Sequence, residues 1–292
     1  MASIQELRQR ITSVGNIKQI TRAMEMVATT KLRRFQDQAV ASRPYTEEIT
    51  GLVQRLAAML GEELEARPLF CPGQGQKSLM LVVSSDRGLC GAYNSNLFKT
   101  MESWRAERGE EIDYFVIGRK AFQYMDRRDF NIVRYLAEPG LEAMDYAQAA
   151  MVGRMLTSEF TGGAYGEVFV LYSAFESMVK YVPTVVPFLP IGGGAGQDGE
   201  QQEAAPAGEP LLEPDAETIF EHLVPRYLET RVYNALLEAL TSEYASRRFA
   251  MKNATDAAND MQDTLRGIYN RKRQESITKD LLDIVGGAEA LK

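Results

Sequence analysis

"YLETRVYNALLEALTSEYASRRFAMKNATDAANDMQDTLRGIY", residues 227–269, holds no proline and one glycine, Gly267. Its apolar residues recur at helical spacing. Leu228, Val232, Leu236, Leu240 and Tyr244 come every four residues. Met251, Ala254, Ala258, Met261, Leu265 and Ile268 then follow at steps of 3, 4, 3, 4 and 3. That is one amphipathic stripe. No proline interrupts the chain beyond Pro225, so the pattern predicts a single helix over 218–286, ending near Gly286 and Gly287. At 1.5 Å per residue it is roughly 90 Å long, against an ordinary helix of about 11 residues. Such a helix outruns a domain of this size, and its stripe needs a partner helix.

The N-terminus supplies the partner. Ile4, Leu7, Ile11 and Val14 are spaced 3, 4, 3, and Ile17, Ile20, Met24 and Val27 repeat that spacing. This reads as a heptad seam with one short step at 14 to 17, where the seam shifts. Ser3 and Glu6 have the spacing of a capping box. A helix of about 40 residues runs to Pro44, where it kinks or restarts, and Ile49, Leu52, Val53, Leu56 and Leu60 carry the stripe to residue 60. Residues 1–60 and 218–286 thus predict an intramolecular antiparallel coiled coil. Ala254 and Ala258 allow its helices to approach closely.

Between them the pattern alternates. "KSLMLVV" (77–83), "IDYFVIG" (112–118), "NIVRYL" (131–136) and "EVFVLYSAF" (167–175) read as strands. "NLFKTMESWRAER" (96–108), "RKAFQYMDRR" (119–128) and "EAMDYAQAAMVGRMLTSEF" (142–160) read as helices. "SMVKYVPTVVPFLP" (177–190) completes the set as a proline-bearing edge strand. Strand–helix alternation predicts a largely parallel sheet. The fold class is therefore α/β: a long antiparallel coiled coil of N- and C-terminal helices with an inserted Rossmann-like α/β domain over 75–190. Residues 191–217 are rich in glycine, proline and acid and read as a flexible acidic loop.

Charge is uneven. The net value is −7, yet both ends are basic. Residues 1–43 carry Arg8, Arg10, Lys18, Arg22, Lys31, Arg33, Arg34 and Arg43 against three acids, while 190–217 holds acids and no base. Such asymmetry marks an electrostatically specialised surface. The chain has 292 residues, two cysteines and one histidine. Cys71 and Cys90 form no disulfide framework or zinc spacing, so no metal and no cofactor is expected. No apolar run reaches the roughly 18 residues that span a bilayer. The basic N-terminus contains Glu6 and Glu25 and continues unbroken as helix, so it reads as mature structure rather than a targeting peptide.

One stretch imitates an active site. "SSDRGLCGAYNSN" (84–96) follows the first strand and places Cys90 in a glycine-flanked turn among hydroxyls, an acid and an arginine. A cysteine nucleophile needs a base within reach, and His222 is the only histidine. A Cys90–His222 pair is the one such arrangement the composition allows; a buried cysteine in a tight turn is the plainer reading. The phosphate-loop patterns with fixed glycine spacing are absent from this turn. Three classes stay open: an α/β enzyme with a coiled-coil tether, a nucleic-acid-binding coiled coil, and an interaction protein whose basic track faces acidic loops of a partner. Against nucleic acid, the basic residues run alongside the heptads and aromatics for stacking are missing.

Three motifs in order decide among them. "ITRAMEMVATTKLRR" (20–34), "SSDRGLCGAYN" (84–94) and "AMKNATDAANDM" (250–261) with "YNRKRQESITKDLLDIVGGAEAL" (269–291) resemble the gamma subunit of F-type ATP synthases. The resemblance implies a central rotor shaft without catalytic residues of its own. Its coiled coil enters the alpha–beta hexamer, and its apolar tip, with Leu282, Ile284 and Val285, turns in a bearing. The α/β domain meets epsilon and the ring of c subunits, and membrane contact is indirect, at the cytoplasmic face of the bacterial inner membrane. By motif position, Met24 lies where the family's shaft meets the lower beta lever, and Arg247, Gln274 and Thr278 where it hydrogen-bonds to beta loops. Lys18, Lys31, Arg33 and Arg34 then face acidic beta loops. The regulatory cysteine pair of plastid members is absent, so thiol regulation is not implied.

Overall fold

The structure is a computed structural model that describes residues 3–61, 64, 67–109, 111–192 and 215–290. The expected acidic loop, for its residues 193–214, lies outside the described residues. Helix α1 spans Ile4–Leu60 and helix α5 spans Ala216–Ala290. The elements between are β1 (Lys77–Val83), α2 (Tyr93–Arg108), β2 (Ile112–Ile117), α3 (Arg119–Asp126), β3 (Ile132–Leu136), α4 (Tyr146–Thr161), β4 (Tyr165–Phe175) and β5 (Tyr181–Leu189). By contacts the chain divides into two compact units: Met1–Thr29 with Arg247–Lys292, and Thr30–Ser246. Both terminal helices contribute to each.

In the Thr30–Ser246 unit the strand order is β3-β2-β1-β4-β5. The first four pair in parallel, and β5 runs antiparallel to β4. The apolar run in β1 is continuous because the strand is covered on both faces: Leu79 to Val83 have no exposed surface. Met80, Val82, Tyr114, Val116 and Leu171 meet Leu97, Met101, Ala121 and Met125 of α2 and α3 in one core. The alternating set, Leu79, Leu81 and Val83, points to the opposite face. The predicted edge strand is β5, where Pro183 and Pro187 pair with β4 on one side only. A proline donates nothing to a ladder, so the edge is its natural place. Arg231 of α5 then covers the end of this strand, donating to the carbonyls of Pro187 (2.8 Å) and Phe188 (3.4 Å).

Several boundaries differ from the sequence reading: α2 starts at Tyr93, β4 at Tyr165, and α5 continues past Gly286 and Gly287 to Ala290; two further differences have a clear local cause. Helix α4 begins at Tyr146 rather than Glu142, because Asp145 caps it. The Asp145 carboxylate accepts from the Gln148 amide, the Gln148 side chain returns the bond, and Leu141–Ala143 forms a separate 3-10 turn. Helix α1 does not restart at Pro44. Its buried and half-buried positions continue through the proline at 39, 42, 46, 49, 53, 56 and 60. Packing along that seam offsets the lost helical hydrogen bond.

The terminal-helix unit pairs the start of α1 with the second half of α5. Thr21 meets Thr255, and Gly15 meets Gln262. Partner numbers rise as α1 numbers fall, so the pair is antiparallel. Its seam follows the predicted stripe at 4, 7, 11 and 14 and departs from it beyond Val14. On α1 buried and half-buried positions recur by 3 and 4 without a break at 4, 7, 11, 14, 18, 21, 25 and 28, with Gly15 and Met24 half-buried beside them. On α5 they fall at 251, 255, 258, 262, 265, 269, 272 and 276. The expected short step at 14 to 17 does not occur. The seam runs through Lys18, Thr21 and Glu25, and Ile17, Ile20 and Val27 face outward, each more than half exposed.

Candidate functional site

The loop that imitates an active site sits at the carboxyl ends of the parallel strands. There β1 has β2 on one side and β4 on the other, and doubly wound sheets receive ligands at such a switch point. Here the chain fills the place itself. The amides at the start of α3 would face a bound phosphate, but each is already paired. Arg119 N donates to Asp86 Oδ1 (3.1 Å), Lys120 N to the Ser85 carbonyl (3.0 Å) and Ala121 N to Ser84 Oγ (2.8 Å). The second Asp86 oxygen accepts from Leu141 N at 2.8 Å. Gly118 permits this closure. Its φ is 98°, and a Cβ there would stand 2.1 Å from the Ser84 carbonyl oxygen.

Cys90 lies in a polar knot rather than beside a base. Asn94 Nδ2 donates to its sulfur at 3.2 Å and to Ser85 Oγ at 2.7 Å. The Cys90 carbonyl accepts from Ser246 Oγ of α5 at 2.6 Å. His222 is exposed near the start of that helix, 24 residues before Ser246. At 1.5 Å per residue they stand about 36 Å apart along the axis. The Cys90–His222 pair does not form. The loop instead anchors α5, with Tyr93 OH donating to the Ala239 carbonyl (3.2 Å), and the neighbouring strands add to it: Tyr181 OH of β5 donates to Ser246 Oγ (2.9 Å) and Ser242 Oγ to the Ser173 carbonyl of β4 (2.9 Å).

A second anchor ties the 3-10 turn to both long helices. Lys31 of α1 pairs with Glu142, Tyr244 of α5 donates to the other Glu142 oxygen at 2.6 Å, and Phe35 stacks on Tyr244 with centroids 5.5 Å apart. Burial pushes the Glu142 carboxyl up, but the Lys31 ammonium and the Tyr244 hydroxyl more than offset that and hold it below the usual carboxylate range. Lys31 was expected to face a partner's acidic loops; the structure pairs it within the chain.

The other expected contact residues divide by position. Arg33 and Arg34 are exposed, and Arg34 lies over the Phe35 ring. Lys18 and Met24 are half-buried at or beside the seam. Arg247 is buried and engaged within the chain. Gln274 and Thr278 are exposed, as are Leu282, Ile284 and Val285. Sequence reasoning missed the outward apolar set Ile17, Ile20, Val27, Met261 and Ile268. Their periodicity was visible, but it was read as the seam itself. Among the described residues no group of His, Cys, Asp or Glu could hold a metal ion, and no helix is long and apolar enough to cross a membrane.

The family model described as ATP synthase matches residues 3–291. Curated relatives named ATP synthase gamma chain align over the whole chain. That of Geotalea uraniireducens is 36% identical over 295 residues, covering 100% of both chains. That of Moorella thermoacetica is 37% identical over 292 residues with the same coverage. This chain belongs to the ATP synthase gamma-chain family. Among solved structures, a chain of the Euglena gracilis mitochondrial ATP synthase (OSCP/F1/c-ring) shares the fold with a TM-score of 0.68 at 20% identity. The match covers 99% of this chain and 94% of that one. A chain of the Tetrahymena thermophila mitochondrial ATP synthase central stalk and c ring does so with a TM-score of 0.60, also at 20% identity, over 80% of this chain and 99% of that one. For a gamma chain, a self-filled switch point and an outward apolar helix face are coherent features: one removes a ligand site, and the other supplies a contact surface.

Proposed function

We propose that this chain is the central-stalk rotor of an ATP synthase, acting by conformational coupling. Its full-length similarity to gamma chains carries the reading. The chain turns within a hexamer of alpha and beta subunits, with epsilon and the ring of c subunits at the α/β domain. Catalysis takes place on the beta subunits. An asymmetric shaft touches each of three beta subunits differently and so biases open against closed nucleotide sites. Proton flow turns the ring and the shaft, and ATP hydrolysis drives the reverse. The contact residues are Met24, Lys18, Lys31, Arg33, Arg34, Arg247, Gln274 and Thr278, with Leu282, Ile284 and Val285 at the bearing. The chain is peripheral to the membrane as part of the complex, at the cytoplasmic face of a bacterial inner membrane. The outward basic residues favour association with acidic loops.

The test is reconstitution. Alpha and beta subunits are assayed for ATP hydrolysis with and without this chain, and the full complex is assayed in vesicles for ATP-driven proton uptake. The rotor reading expects a stable complex, hydrolysis that requires the chain, and uptake that follows hydrolysis. Well-folded, matched partners that form no complex would overturn it. The α/β-enzyme reading finds no support in the geometry, since Asp86 occupies the phosphate position and the Cys90–His222 pair does not form.

A further inference from the structure

The terminal-helix unit contains two possible seams one residue apart. The observed seam places Lys18, Thr21 and Glu25 of α1 toward α5, which answers with Thr255, Ala258, Gln262 and Leu265. Turning α1 beyond Val14 by one residue, about 100°, brings Ile17, Ile20 and Val27 inward in their place, with Met24, already half-buried, moved fully into the seam. A turn of at most one residue in α5 replaces Thr255, Gln262 and Tyr269 by Ala254, Met261 and Ile268 and keeps Ala258 and Leu265. Over 17–27 of α1 that second seam is apolar throughout. By hydrophobic burial alone it wins, yet it is not the one formed.

Specific polar contacts distinguish the observed phase. Thr255 Oγ1 stands 2.8 Å from Thr21 Oγ1 and 2.8 Å from the Met251 carbonyl, so its one proton has two acceptors, and the Thr21 hydroxyl donates to the Lys18 carbonyl at 3.1 Å. Thr255 is buried and Thr21 half-buried, so these bonds stand in the interior of the pair. About two turns further along, a Cβ on Gly15 would meet Gln262 Nε2 at 3.0 Å. The absence of a side chain there leaves room for the glutamine. A polar group at a seam position is a known means of fixing register at a cost in stability. Upstream, Ala28 leads into Leu32 and Phe35 in the same heptad phase, all buried.

We propose that Thr21, Thr255 and Gln262 form a register key that locks the rotational phase of the terminal-helix pair and so holds Ile17, Ile20, Val27, Met261 and Ile268 on its outer surface. They are positioning residues: they act through the outward side chains and not on nucleotide. The inference rests on the rotor reading, because there the outer face is what meets the catalytic subunits. Releasing the key lets the helices exchange phases and withdraws the outer face.

The experiment uses the full chain assembled with its partner subunits. Spin labels are placed at Arg22→Cys and Arg266→Cys, both exposed, with Cys71→Ser and Cys90→Ala as background. In the labelled parent chain one distance is expected. The isosteric double variant Thr21→Val with Thr255→Val keeps the shape and removes both hydroxyls. A second distance is expected in it, displaced by about 8 Å, the swing of a side chain on a helix of ~11 Å diameter turned by 100°. Protons pumped per ATP hydrolysed should fall by about twofold, as when two phases are about equally populated. Thr21→Ser with Thr255→Ser should restore both readouts. A single unchanged distance in the valine variant overturns the key. So does a second distance with full coupling, or a loss that serine fails to restore. If the valine variant does not assemble, Gln262→Met is read in the same way, with a second distance supporting the key and a single distance overturning it. Failure of the parent chain itself to couple sinks the rotor reading instead, so the two failures are distinguishable.

Discussion

In the Thr30–Ser246 unit five consecutive residues of β1 have no exposed surface, whereas the seam of the terminal-helix unit passes through Lys18, Thr21 and Gln262. The sheet of the first unit buries its apolar residues, and the loop at its carboxyl end turns its polar groups onto one another. The second does the reverse at several positions, with Ile17, Ile20 and Met261 more than half exposed. A sheet covered on both faces is stable by itself. A two-helix pair with polar seam positions and apolar outer positions gains less from its own folding, and its exposed stripe marks an interaction surface. The contrast separates scaffold from working surface within one chain.

The comparison is open to attack from its largest expected effect downward. Gly118→Ala places a Cβ against the Ser84 carbonyl at a φ of 98°. It should destabilise the α/β unit by about 3–5 kcal/mol, read as a lowered denaturant midpoint; an unchanged midpoint would show that the closed switch point is not built as described. Asp86→Ala leaves the amides of Arg119 and Leu141 without their carboxylate and should cost roughly 2–3 kcal/mol by the same measurement. Glu142→Gln weakens the anchor between α1, α5 and the 3-10 turn. Its carboxyl is partly exposed, so a loss of about 1 kcal/mol is expected. The Glu142 carboxyl is held below its ordinary range in the folded state. It therefore stabilises the fold above its unfolded value, about 4.3, and that stability is lost as pH falls through the folded value. The difference between the parent chain and Glu142→Gln should be full near neutral pH and close in acid; a difference that grows in acid would reverse the assignment. Smallest in the free chain is Ile17→Ser with Ile20→Ser, expected to move its stability by no more than about 0.5 kcal/mol. The same pair should weaken assembly with alpha and beta subunits, and normal assembly would remove these residues from the working surface.

The α/β layer was largely legible in the sequence. Continuous apolar runs such as "LMLVV" mark strands buried on both faces, and the prolines of 177–190 mark an edge. The start of α4 was misplaced because a cap is a local hydrogen-bond pattern, and Asp145 was not read as one. The seam of the helix pair was misread for a different reason. Periodicity reports which residues share a helix face, not which face meets the partner helix. Where a second surface also demands apolar contact, the stripe is drawn toward that surface, and the true seam is carried by Thr21, Thr255 and a small residue, Gly15. Lys31 was assigned outward from its charge alone, since Glu142 lies 111 residues away and no local signal joins them. Gln274, Thr278 and the tip residues are exposed, as a contact role requires.

Asp86 stands where related sheet architectures welcome phosphate. A subunit that works among nucleotide-handling neighbours is bathed in ATP, ADP and inorganic phosphate. A vacant cradle at that position would compete with the catalytic sites for those anions and load the shaft with passengers. A fixed negative charge, already satisfied by the amides of Arg119 and Leu141, repels them. The fold has kept the outline of a nucleotide receptor and made it deaf to nucleotides.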